Sequence, residues 1–586
     1  MDKNFERMLS DRLGMFVHFG LYSAFAGSFN GEKIPGFGEW IQRFAEIPIK
    51  EYESFAKENF NPEADWAIKL VRSAKAAGFR YIVLTSKHHD GFCLFRTSVD
   101  GYNSYDFFGR DLCRELADAC RAEGVELGFY YSHALDWHEP NAAGNYTLTR
   151  PGEKKTNRNY WDYPDDNIDF DDYFRKKCLP QVREILTGYG DIKCVWFDYP
   201  HDITKAQATE LRTLVKSLQP NCLINSRIGH GLCDYYSLGD NGLPNTVTAV
   251  PTECLITLND TWAYKEDDHN YKSPEAIIEI VCRTLSTRST LLLNVGPMPN
   301  GALTPETENI LSELGEWTSR NREAIYGGIT PINAKTIFPW GYAAQDKNSV
   351  YLYLKKNTGN VSVSGIESEP VGIMLLGGSD IEYTYTDKTV KIDTVNCDYT
   401  RPVLKICFES EPEISEKLFV DSTRGSLPVA YASLVKRSEP DSLIPLRHDY
   451  EVEAGDFGMN GIARTRTDTI HHWESSDDML EWEVEFAECG KYSAELILAD
   501  PSFETYCTSA ETVVPYTLSV ADTKNSVASD VCYTYNLNAT GHGNMRSVKS
   551  AGTFEITEKG VYRVTLSKES DQLGYGLSEI RLTKLG

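Results

Sequence analysis

Up to about residue 330, short apolar segments alternate with longer amphipathic ones, and no other feature of the chain constrains its fold as much. The apolar segments read MFVHFG (15–20), YIVLTSKHH (81–89), VELGFYYSH (125–133), CVWFDYP (194–200), CLINSR (222–227) and TLLLNVGP (290–297). Between them, stretches such as ADWAIKLVRSAKAAG, DLCRELADACRAEG and SPEAIIEIVCRTLSTR repeat apolar residues at helical spacing. Nearly continuous apolar strands separated by helices imply a parallel sheet covered on both faces. The polar residues sit at the C-terminal strand ends: His18, His88, His89, Tyr131, Asp198, Arg227 and Asn294. A barrel gathers those ends into one mouth, whereas an open doubly wound sheet spreads them along an edge. No glycine-rich phosphate loop follows the first strand. The expected fold is a (β/α)8-like barrel over residues 1–335.

Beyond that point helical periodicity stops and strand-like alternation takes over, in SVYLYLKKN, VGIMLL and IEYTYTDKTVKIDTV. A chain of 586 residues exceeds what one core supports. Two further units are expected, a small antiparallel β-sandwich over 336–425 and a second β-sandwich over 426–586. The polar segment 411–429 reads as a linker, and the last unit is a candidate carbohydrate-binding module. A net charge of −26 excludes a phosphate-binding surface, so neither nucleic acid nor anionic lipid is an expected partner. The 14 cysteines fall singly, without metal-ligand spacing, as thiols of a reduced protein do. The first residues, MDKNFERMLSDRLGMF, carry no apolar stretch, and a cytoplasmic location is expected from them.

The chemistry centres on Asp198, a carboxylate that ends an apolar strand and is costly to bury without partners. Glycoside hydrolysis with retention needs two carboxyl groups about 5–5.5 Å apart, one a nucleophile and one an acid/base. Glu253 is the preferred second group, because it opens an apolar run whose burial would raise its pKa. Glu39, beside Trp40 in a glycine-rich loop, suits a sugar hydroxyl better; Asp136, Glu139 and Asp240 rank lower. His18, His88 and His89 are expected to bond sugar hydroxyls. Metal ligation is disfavoured because adjacent strand residues point to opposite faces, and neither metal nor cofactor is expected. Arg227 can fork onto a hydroxyl pair or a carboxylate. Of the two tyrosines in GFYYS, Tyr131 lies nearer the strand end and is expected in the mouth, with Trp40, Trp196 and Trp262 as an apolar wall.

Several motifs occur together in one order: HFGLYS, GEW, KHHDGF, GFYYSHALDWHEP, VWFD, NSRIG, TECLITLNDTWAY, LLLNVGPMPNGAL and EWTSRNREAIYGG. This ordered set resembles the α-L-fucosidases of glycoside hydrolase family 29, and its bacterial branch in particular. The resemblance implies an exo-acting retaining enzyme that removes terminal α-linked L-fucose from oligosaccharides or glycoconjugates by double displacement. It implies Asp198 as nucleophile and Glu253 as acid/base. His18, Glu39, Trp40, His88, His89, Tyr131, Trp196, Arg227 and Trp262 would line the fucose pocket. The chain departs from the family pattern at Thr252, Ser226 and Arg322. Two alternatives stay open at this point, a catalytically silent binder of fucosylated glycans and a retaining glycosidase for a related sugar such as α-L-galactose.

Overall fold

The computed structural model describes all residues except 1–2, 144–157, 165–166, 201, 245–246, 249, 333–336, 339, 356–358, 394, 396, 421–423, 446–463, 467–468, 472, 474, 500–513, 521–522, 530–545, 572–575 and 586. Eight parallel strands form the first sheet: β1 (Leu13–Val17), β2 (Tyr81–Lys87), β3 (Glu126–Ser132), β4 (Cys194–Asp198), β5 (Leu223–Ile224), β6 (Tyr236–Ser237), β7 (Thr252–Thr257) and β8 (Thr290–Val295). Their order is β5-β4-β3-β2-β1-β8-β7-β6. That order is cyclic, and a single parallel bridge between Asn225 and Tyr235 links the two short strands at its ends. The result is the expected barrel in distorted form. Strand β6 was not legible in the sequence, because its two residues, Tyr236 and Ser237, are only half-buried and stand in the polar run DYYSLGD.

Helices that pack around the sheet include α1 (Trp66–Ala77), α2 (Leu112–Glu123), α3 (Leu179–Gly188), α4 (Lys205–Leu218), α5 (Pro274–Ser286) and α6 (Pro305–Arg320). Four of these six starts are capped by side chains. Asp111 accepts a hydrogen bond from the Arg114 amide, Thr204 and Gln207 form a capping box, and Pro274 and Pro305 stand in the first turn after Ser273 and Thr304. Just before α3, the segment Phe174–Cys178 widens into a π-turn ahead of Pro180. The proline has no N–H to give back to the preceding turn, which accounts for the break in helical geometry there.

Inside the barrel, Phe16, Tyr81, Val83, Tyr130, Trp196, Leu255 and Leu292 form one buried cluster. Gly14 makes room for it. A Cβ there would lie 2.2 Å from the Tyr81 ring, so Tyr81 can cross the barrel floor only over a glycine.

The C-terminal half is built from β-sheets. A six-stranded sheet around Ser349–Leu354 and a three-stranded sheet around Thr389–Ile392 enclose Val350, Leu352, Val390, Leu404 and Ile406. Trp317 Nε1 donates to the Arg401 carbonyl, and Arg401 pairs with Glu279, which ties this unit to α5 and α6. Beyond it, a seven-stranded and a four-stranded sheet share a second core containing Trp473 and Trp482. The segment expected as a linker is a correction. Leu418–Val420 and Arg424–Pro428 are strands of that last unit, paired with Asp478–Phe486 and Gly576–Lys584. Their short runs, crossed by Pro428, hide the alternation. Among the described residues, no helix is long and apolar enough to cross a membrane.

Candidate active site

Strand β4 ends on Asp198, and its carboxylate is held on three sides. Tyr130 donates its hydroxyl to Oδ2 at 2.9 Å, Arg227 donates Nη1–H to Oδ1 at 3.0 Å, and His89 Nε2 lies 3.7 Å from Oδ2. Burial alone would raise this pKa. The Arg227 charge, His89 and the two hydrogen bonds outweigh it and hold Asp198 at about 2. An ionised, partly accessible carboxylate at a barrel mouth is what nucleophilic attack requires.

Arg227 reaches a second acid. Its Nη2 bonds Asp240, whose side chain is about a third exposed, while its guanidinium carbon lies 4.9 Å from the centre of the Trp196 ring. Asp240 is carried by the loop after β6. Asn241 pins that loop, since its side-chain carbonyl accepts from both the amide and the hydroxyl of Thr257, and its own amide donates to the Leu255 carbonyl. One guanidinium therefore spans two carboxylates at the mouth.

Most of the sequence-predicted residues converge here. His18 Nδ1 is 2.6 Å from Asn294 Oδ1, and its ring lies 5.2 Å from Trp262. His88 stacks on Tyr130 at 5.2 Å, and His89 Nδ1 is 2.8 Å from Ser132 Oγ. The two histidines were expected on opposite faces. Strand β2 stops at Lys87 with a register shift, so the period of two no longer applies and both rings join the cluster, 4.2 Å apart. Glu39 lies in a 3₁₀ turn, and its Oε2 accepts from the Ala263 amide and Thr261; burial pushes its pKa up to about 7. Trp40 packs edge-on against His89 and Trp137. Among the described residues, no group of three or more His, Cys, Asp or Glu is arranged to hold a metal ion.

Two expected residues lie elsewhere. Tyr131 points out of the barrel, donating its hydroxyl to Gln181 on α3, with Lys87 Nζ over its ring. Neighbours on a strand alternate faces, and here Tyr130 is the inward one. Glu253 is the second residue of β7, paired in register with Ser237 and Thr290 at the N-terminal end of the sheet. Its carboxyl accepts from Trp196 Nε1 at 2.9 Å and from Tyr81, the first residue of β2, at 3.3 Å. Only 1 % exposed, it sits on the barrel floor and not at the mouth. Burial does push its pKa up to about 7, as expected, but it stands at the N-terminal end of β7, whereas Asp198 stands at the C-terminal end of β4.

A buried ionic knot braces the wall beside the site. Lys87 Nζ donates to Asp136 at 2.9 Å and to the Tyr173 hydroxyl at 2.8 Å, and both charged side chains are fully buried. Asp136 in turn accepts from the His138 amide, fixing the turn that carries Trp137. Lys177, also buried, lies 3.2 Å from the same carboxylate and keeps part of its charge compensated, so Lys87→Met should cost roughly 2 kcal/mol of stability, less than a fully stranded buried ion. Urea unfolding measures this; a loss below about 1 kcal/mol, the scale of an exposed pair, would contradict it.

The buried imidazoles also shape acid stability. Burial lowers the pKa of His18, His89 and His133 to about 4 and holds that of His88 well below the ordinary imidazole range. Because these values lie below the unfolded one of about 6.5, their contribution is intact above 6.5 and is lost as pH falls toward 4. Glu39, Asp90 and Glu253, each raised to about 7, act oppositely and lose stability as pH rises from about 4 to 7. A single substitution separates the two effects. His133→Asn, against Phe197 behind the site, should lose less thermal stability than the parent between pH 6.5 and 4.5; an equal loss would contradict the assignment.

A family model described as alpha-L-fucosidase matches residues 2–323. The tissue α-L-fucosidase of Bos taurus is 28% identical over 372 residues, 58% of this chain and 70% of that one. The α-L-fucosidase of Lactobacillus casei, solved with α-L-fucose product, is 40% identical with a TM-score of 0.52, covering 55% of this chain and all of that one. A mutant form of it is solved with Fucα(1,6)GlcNAc. The α-L-fucosidase of Vibrio sp. strain EJY3 superposes over 100% of this chain and 98% of its own, with a TM-score of 0.80 at 23% identity, a likeness of fold.

Proposed function

This chain belongs to the α-L-fucosidase family and is a glycoside hydrolase, and on that premise we propose that it releases terminal α-linked L-fucose with retention, using Asp198 as nucleophile and Asp240 as acid/base. The observation that carries the reading is the Arg227 guanidinium, bonded through one Nη to Asp198 and through the other to Asp240. Retention requires two carboxyl groups that face each other across the anomeric carbon, and a bridging guanidinium keeps such a pair close together. Their environments differ as their tasks do. Asp198 is buried and held ionised, while Asp240 is exposed enough to meet a leaving group and then water.

In this mechanism Asp198 attacks the anomeric carbon while Asp240 protonates the departing oxygen. The glycosyl-enzyme is then opened by water that Asp240 deprotonates, which regenerates both groups. Tyr130 and Arg227 hold Asp198 ionised for the attack and stabilise the carboxylate again when it leaves carbon in the second step. His18, His88, His89 and Glu39 supply hydrogen-bonding groups for the sugar hydroxyls, and Trp40 and Trp262 an apolar wall for the C5 methyl. The fucose and Fucα(1,6)GlcNAc bound by the Lactobacillus casei relatives support this substrate class.

We place the three units at about 1–335, 336–417 and 418–586, moving the last boundary forward because Leu418–Val420 pairs with Asp478–Phe486. A sugar-binding role for the last unit gains no support from its tryptophans, since Trp473 and Trp482 are both buried. Proton NMR of the first sugar released from an aryl α-L-fucoside tests the reading. α-L-Fucose appearing before mutarotation supports it, and β-L-fucose, or turnover only of an α-L-galactoside, would overturn it.

A further inference from the structure

The mechanism leaves the buried carboxyl of Glu253 unused. Glu253 is an expensive residue for a barrel floor, where a leucine or methionine would fill the same space without a desolvation cost. Its contacts lead in one direction. Oε2 accepts the Trp196 indole N–H at 2.9 Å, and Oε1 accepts the Tyr81 hydroxyl at 3.3 Å. The indole above it bears two loads. Tyr130 stacks on one side, with ring centres 5.7 Å apart and an angle of 16°, and the Arg227 guanidinium lies 4.9 Å from the ring centre. Those are the two residues that donate hydrogen bonds to Asp198. A planar ring held only by packing can roll in its plane or tilt. An N–H fixed to a buried acceptor cannot do so without leaving both partners unsatisfied.

We propose that Glu253 is a positioning residue for the nucleophile: by fixing the Trp196 indole it sets the platform on which both hydrogen-bond donors to Asp198 rest. The proposal rests on the reading of Asp198 as nucleophile. Glu253 does not touch substrate. Its contribution is geometric, and the acceptor oxygen matters while the charge does not.

The test uses the full-length protein and three variants, Glu253→Gln, Glu253→Met and Trp196→Phe, assayed on an aryl α-L-fucoside alongside thermal melting. Glutamine keeps an acceptor for the indole and should hold kcat within about fivefold. Methionine keeps the volume but not the acceptor, and should lower kcat by about 30- to 100-fold with KM within about twofold, the scale of a misplacement near 1 Å. Trp196→Phe reads the same contact from its other end and should show the same loss of kcat, whether or not the methionine variant folds. Adding Glu253→Met to Trp196→Phe should then cost little more, because the two changes remove one interaction. Equal losses in glutamine and methionine, a methionine variant within twofold of the parent, or additive losses in the double variant would each overturn the proposal. Failure of the functional reading shows separately, as an unmodified protein without turnover of the fucoside.

Discussion

Asp198→Gly should reduce hydrolysis of an aryl α-L-fucoside on the order of ten-thousand-fold, the scale seen when a covalent nucleophile's machinery is removed. The fold should survive. Asp198 ends its strand at the mouth, and Arg227 keeps Asp240 as a partner when the first carboxylate is lost. The informative part is rescue. Glycine leaves space where the carboxylate stood, and azide entering there attacks the anomeric carbon from the face opposite the leaving group. The product is β-L-fucosyl azide, formed while Asp240 still protonates the departing oxygen. A glycine variant that hydrolyses normally would contradict the assignment.

Asp240→Gly should give the complementary result. A fucoside with a dinitrophenyl leaving group departs without protonation, so formation of the glycosyl-enzyme is spared and its hydrolysis becomes limiting. A fucosyl disaccharide needs the proton and should lose about a thousandfold in kcat/KM, within the usual range for general acid catalysis. Azide now reaches the glycosyl-enzyme from the other face, and the product is α-L-fucosyl azide. The two variants thus yield opposite anomers, which assigns the two roles independently of their rates. Glu253→Gln should show neither leaving-group dependence nor azide capture. If it does so in place of Asp240→Gly, the acid/base is on the barrel floor after all, and the placement of Glu253 by strand register would need a different explanation.

How far the sequence could be read follows from the kind of signal each feature leaves. The barrel was legible because six of its eight strands stand out as apolar segments between helices, and β7 showed as the apolar run after Glu253, while β6, two half-buried residues within DYYSLGD, does not stand out. Asp198 was legible for the same reason, as the one charged residue at the end of CVWFD. Tyr131 was misjudged because closeness to a strand end was weighed above the alternation of faces, which brings Tyr130 inward and sends Tyr131 toward α3. Glu253 was misjudged through its polarity along the strand. An acid at the start of an apolar run is buried as expected, but at the N-terminal end of a parallel strand it is buried on the side away from the mouth. Asp240 could have been found by that same rule. It follows β6 and precedes β7, so it belongs to a loop on the C-terminal face, yet with β6 unseen it ranked below Glu253 as the second carboxyl. The pairing of His88 with His89 depended on where β2 stops, and a one-residue difference in a strand end leaves little mark on composition.

The central claim is that Asp198 becomes covalently bound to the sugar, and the most direct measurement of it is to trap that species. 2-Deoxy-2-fluoro-α-L-fucosyl fluoride couples a good leaving group to a sugar whose second step is slow, so the glycosyl-enzyme accumulates. Proteolysis and mass spectrometry of the inactivated protein should find one added 2-fluorofucosyl group, on the peptide that contains Asp198 and on that residue. An adduct on Asp240, Glu253 or any other carboxylate, or complete inactivation without covalent mass, would contradict the account.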